Sequence, residues 1–120
     1  MTDRELLELA AKAAGIEVWP GIGVQSHMLF TRSAKSGYDG RVTGVEWNPL
    51  TDDGDALRLA VALRMEIDHN HPSDETPWVS VRAHPMRMCA VEDFEDECQR
   101  TAATRHAIVR TAAAIGETMQ

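Results

Sequence analysis

The seventeen residues from Trp47 to Leu63, WNPLTDDGDALRLAVAL, constrain this chain more than any other stretch. Pro49 has no backbone N–H and biases Asn48 toward extended geometry, so a strand arriving through Val45-Glu46-Trp47 has to end there. Thr51, Asp52 and Asp53 each offer a short side-chain oxygen for a helix N-cap. Asp52, Asp53 and Asp55 place negative charge at the positive end of that helix. Ala56, Leu59, Ala60 and Leu63 then recur at helical spacing. Leu57 and Val61 widen the stripe, which predicts a helix covered on more than one side, with Arg58 toward solvent. Clustered aspartates are also divalent-cation ligands by type. These lack the twelve-residue spread of an EF-hand loop, and capping explains them without an ion.

The rest of the chain reads as short elements around this centre. Thr2 and Glu5 stand three apart, as in a capping box. Leu6, Leu9, Ala10 and Ala13 follow as an apolar stripe, and Gly15 is placed to end the helix. Residues 24–31 read as a strand, with Val24, Met28 and Phe30 on one face and Gln25 and His27 on the other. Residues 33–40 have loop composition, and 41–47 read as a second strand. After the central helix, 65–68 form a short strand and 69–77 a loop. Residues 78–83 alternate, with Val79, Val81 and Ala83 on one face. His84-Pro85 turns the chain into a strand over 86–91. The acidic run 92–97 would start a last helix, which runs to about Ile115 and stops at Gly116. The order αββαβββα predicts a single α+β domain over 1–120, a small antiparallel sheet with helices packed on one face.

Composition narrows the partners. Aromatics make up only 5% of 120 residues, so aliphatics and alanine must fill the core, with helices in close contact. The net charge of −7 argues against direct nucleic-acid binding, which needs a basic footprint, and against an anionic membrane surface. It leaves open an acidic protein that binds a basic partner, most simply another protein. No apolar run approaches the length of a membrane span. The first residues open straight into a polar helix start, so no signal peptide is expected. Cys89 and Cys98 do not make a disulfide framework. The expectation is an intracellular protein with free thiols.

Little in the chain names a chemistry. His69, His71 and His84, with Cys89, have metal-ligand side chains, and would serve a small metal-dependent enzyme. No Cys-x-x-Cys or His-Glu-x-x-His frame accompanies them. Cys89 lies in a strand pattern, where a buried thiol acts as a small hydrophobe. Cys98 follows a run of acids that would dull its nucleophilicity. Gly21-Ile22-Gly23 is too short for a dinucleotide fingerprint. No catalytic residue and no cofactor is therefore assigned, and binding is favoured over catalysis. Glu92, Asp93, Glu95, Asp96 and Glu97 read as a solvated helix start. Their alternative is an acidic interaction patch that imitates nucleic-acid phosphates. Trp47 and Trp78 read as core anchors, whereas Trp19, beside Pro20, reads as an exposed contact residue. In the last helix Ala103, Ile108, Val109, Ala112 and Ile115 are apolar on two sides, for the core or for a homodimer seam.

Three segments carry a resemblance: residues 5–15 (ELLELAAKAAG), 47–60 (WNPLTDDGDALRLA) and 105–116 (RHAIVRTAAAIG). Together they resemble a family of short phage and prophage proteins of unknown function. The chain is more loosely similar to the NinX-type phage proteins, which share an Asn-Pro turn before an apolar helix and an Ala-rich C-terminal helix. The resemblance covers about a third of the chain and brings no catalytic residues with it. It implies a phage accessory protein, dispensable for building the particle and acting in the cytoplasm of the host bacterium. The lack of a catalytic set or cofactor frame and the acidic charge favour a non-enzymatic binder of a host or phage macromolecule. An anti-defence inhibitor of a bacterial immune protein is a special case of that role.

Overall fold

The computed structural model describes residues 1–32, 44–83 and 88–119. Helix α1 (Asp3–Ala14) starts where Thr2 and Glu5 predict, the Thr2 hydroxyl accepting from the Glu5 N–H at 3.2 Å. It ends at Gly15, whose φ of +70° is left-handed backbone that suits glycine. The buried residues are Leu7, Ala10 and Ala11, so the buried face is rotated from the expected stripe. Leu6 still reaches the core, and Leu9 is half-buried.

The next strands are β1 (Trp19–Pro20), β2 (Leu29–Arg32) and β3 (Gly44–Glu46), paired antiparallel in that order. Residues 24–31 are not one strand. Gly23 takes φ +63° and Gly23–Gln25 form a 3₁₀ turn. The turn folds the chain back, so that the Gly21 N–H donates to the Met28 carbonyl at 3.0 Å. Val24 is left 93% exposed instead of facing a core. The expected loop over 33–40, and the first residues of the strand expected over 41–47, lie outside the described residues.

Trp47 and Pro49 are buried ahead of helix α2 (Asp53–Ala62), as the turn requires. Asp52 is the cap, accepting from the Asp55 N–H at 2.8 Å. Asp55 turns inward and is buried. It accepts from the Asn48 N–H at 3.0 Å and from Arg58 at 2.7 Å. The aspartates thus serve the turn and the helix start. Ala56, Leu59 and Ala60 are buried, but Leu57 and Val61 are 61% and 68% exposed. Among the described residues the helix is covered on one side only, against the expectation of a wider stripe.

The second sheet holds β4 (Met65–His69), β5 (Trp78–Ala83) and β6 (Met88–Asp93), antiparallel with β5 central. Val79, Val81 and Ala83 face inward, under helix α3 (Arg100–Thr118). The acidic run does not begin that helix. Glu92 and Asp93 end β6, a 3₁₀ turn covers Glu97–Gln99 with Asp96 as its cap, and α3 begins only at Arg100. Ile108, Val109, Ala112 and Ile115 are buried between the sheet and α1. Gly116 does not stop the helix. A Cβ there would fall 2.1 Å from the Leu9 carbonyl oxygen, so the glycine lets α1 and α3 touch backbone to backbone. The fold is α+β, with helices on one face of the β4–β5–β6 sheet, and its strands are divided between two small sheets. Among the described residues no helix is long and apolar enough to cross a membrane.

Candidate interaction face

Strand alternation decides what the β4–β5–β6 sheet shows on the side away from α3. With Val79, Val81 and Ala83 inward, Trp78, Ser80 and Arg82 point outward. Cross-strand register sets Trp78 opposite Asp93, Ser80 opposite Asp68 and Val91, and Arg82 opposite Glu66 and Cys89. No described element covers this face. It forms a shallow hollow of about 440 Å³ lined by Asp68, Trp78, Ser80, Arg82, Cys89, Val91 and Asp93. Trp78 is half-buried and is not the core anchor the sequence suggested. Cys89 is exposed here, not buried, and its Sγ lies 3.8 Å from the Ser80 hydroxyl. Arg82 is tied to Glu66 at 2.9 Å and faces Asp68 at 3.9 Å. Asp93 adds a further carboxylate beside the tryptophan, so the face pairs apolar side chains with an acidic border.

Trp78 is held from behind by Arg100. All five guanidinium N–H groups are engaged. Nε donates to Glu97, and the two terminal nitrogens reach His69 Nδ1 at 2.9 Å, the Trp78 carbonyl at 3.3 Å, Asn70 Oδ1 at 2.6 Å and Glu97 Oε2 at 3.1 Å. The guanidinium also stacks on Phe94, 4.7 Å from the ring centroid. The Asn70 side chain accepts from the Trp78 N–H at 3.1 Å. Both backbone polar groups of Trp78 are thus fixed from the start of α3. The hydrogen bond from Arg100 holds the Glu97 carboxyl below the usual glutamate range, against the opposing effect of desolvation, and Glu97 in turn raises Arg100.

The other sequence candidates fall in three places. Asp93, Glu95, Asp96 and Glu97 are exposed and continue the acidic border from the end of β6 into the 3₁₀ turn. Glu92 points the other way, bonded to His106 at 2.6 Å and Arg110 at 2.7 Å on α3. Trp19 lies on the other sheet, half-buried, its ring 3.1 Å from where a Gly44 side chain would begin. His69 accepts from Arg100, while His71 Nδ1 pairs with the Ser73 hydroxyl at 2.7 Å. His84 lies outside the described residues, and among those described no three metal-ligand side chains converge. Sequence reasoning missed Trp78 as a surface residue, although the parity of Val79 and Val81 already placed it opposite the core. It also missed Arg100, for which the sequence carries no local signal.

No protein family, curated protein or solved structure matches this chain.

Proposed function

We propose that this chain is a phage- or prophage-type accessory protein that acts by binding another protein through the open face of the β4–β5–β6 sheet. The observation that carries the reading is Trp78, set with Val91 and Cys89 in a hollow that no described element covers and bordered by Asp68 and Asp93. An aromatic anchor fixed in place by its backbone loses little entropy on binding, and such residues dominate interface energetics. The carboxylate border and the net charge of −7 select a partner with a basic, partly aliphatic surface. A bacterial or phage nucleic-acid-binding protein has that character, and its blockade is how an anti-defence inhibitor would act. The sequence resemblance supports the phage setting and a cytoplasmic site of action.

Affinity purification from bacteria expressing the chain tests the reading. A stoichiometric protein partner is expected, retained at low salt and released as salt rises. The double variant Trp78→Ser, Asp93→Lys should lose it while keeping the wild-type fold. A partner retained by the folded double variant contradicts the reading.

A further inference from the structure

We propose that the groove between α2, β4 and α3, on the helix side of the same sheet, binds a small amphipathic carboxylate. The groove exists because α3 lies over β5 and β6, so the inner side chains of β4 meet it only at its first turns. Its floor is Ala56, Leu57, Ile67 and Ile108, and its volume of about 320 Å³ lies at the small end of ligand pockets, roughly 300–1,000 Å³. Leu57 is otherwise an exposed leucine without a packing role.

Three of the polar groups on the rim, Arg105, His69 and Thr101, are donors with capacity to spare. Arg105 is largely covered. It spends Nε on the Leu50 carbonyl at 2.8 Å and one terminal nitrogen on Asp53 at 2.6 Å. Its other terminal nitrogen has no hydrogen-bond partner among the described residues. His69 accepts at Nδ1 from Arg100, so its neutral ring carries the proton on Nε2. Thr101 presents an exposed hydroxyl with no partner among the described residues. Arg100 itself has no donor left, so Arg105 is the cation that meets the ligand. Asp53, the carboxylate on this rim, is already matched by Arg105. An apolar floor with surplus donors at its edge suits a short aliphatic chain ending in an acceptor anion, and opposes an amine.

The test is a titration of the full chain with hexanoate, followed by amide chemical shifts, with hexylamine as the counter-probe. Hexanoate should give saturable shifts at Leu57, Ile67, Thr101 and Arg105, with a dissociation constant on the order of 1 mM. Hexylamine should bind at least about tenfold more weakly, and Arg105→Gln should weaken hexanoate about tenfold. Because Arg105 also ties the Leu50 carbonyl, Leu57→Glu provides a second variant at an exposed position, which should abolish the shifts in a folded protein. Equal or tighter hexylamine binding, unsaturable hexanoate shifts, or unchanged affinity in folded Leu57→Glu overturns the proposal.

Discussion

Arg100 donates to Nδ1 of His69 at 2.9 Å across 31 residues of chain. The same guanidinium reaches the Trp78 carbonyl, so a residue on the helix side fixes the backbone of the aromatic residue on the open side. The open face of the sheet and the start of α3 are therefore one mechanical unit.

A lysine at position 100 would keep the charge and lose the fork. Arg100→Lys should lower the thermal midpoint and speed amide exchange at Asn70 and Trp78, while exchange in the α1–α3 contact stays slow. Hydrogen exchange read by mass spectrometry or NMR checks this. Unchanged exchange at Trp78 would mean that Arg100 does not hold the strand.

The Glu97–Arg100 pair predicts a direction with pH. The folded state holds Glu97 below its ordinary value of 4.5, so its contribution is present above that pH and disappears as pH falls through the lowered value. Wild type should therefore be more stable than Glu97→Gln near neutrality, and the gap should close in acid. Glu97 is exposed, so the gap should also shrink in high salt. Thermal midpoints of both proteins across pH 3–7 (about the range where carboxylates titrate) measure it.

Gly116 should tolerate no side chain. Adding a methyl group would push α3 off the Leu9 carbonyl, and overpacking of this kind costs about 1–3 kcal/mol. Gly15→Ala meets open space and only the left-handed φ, at about 1 kcal/mol. Chemical denaturation should rank Gly116→Ala below Gly15→Ala, and Gly116→Val lowest of the three.

Asp55 and Val61 separate burial from composition on one helix. Asp55→Ala leaves the Asn48 N–H without its acceptor and should cost about 1–3 kcal/mol. Val61→Lys changes a side chain that touches little and should stay within about 0.5 kcal/mol of wild type. A large loss in Val61→Lys would show that this face is covered.

The elements that depend on local chemistry were legible in the sequence. Thr2 and Glu5, the Asn48-Pro49 turn with its aspartates, and the Val79-Val81-Ala83 alternation each name their structure within a few residues. The failures have a tertiary origin. Gly116 looked like a stop because glycine ends helices, but a crossing helix needed the space. Glu92 looked like part of a solvated run, yet strand parity turned it toward His106 and Arg110. Trp78 looked like a core anchor by residue type alone, and its alternation with Val79 pointed the other way. Of the candidate site, the carboxylates Asp93, Glu95, Asp96 and Glu97 were visible beforehand. The Arg100 clamp was not, since its contacts with His69, Asn70 and Trp78 span 22 to 31 residues.

Cys89, opposite Arg82, lines the same hollow as Trp78 and offers a direct probe of whether that face is the binding surface. In a Cys98→Ser background, the rate of Cys89 alkylation should be compared for the free protein and for the complex isolated with its partner. The account predicts strong protection of Cys89 in the complex, relieved by salt as the partner dissociates. An alkylation rate unchanged by a bound partner would contradict it.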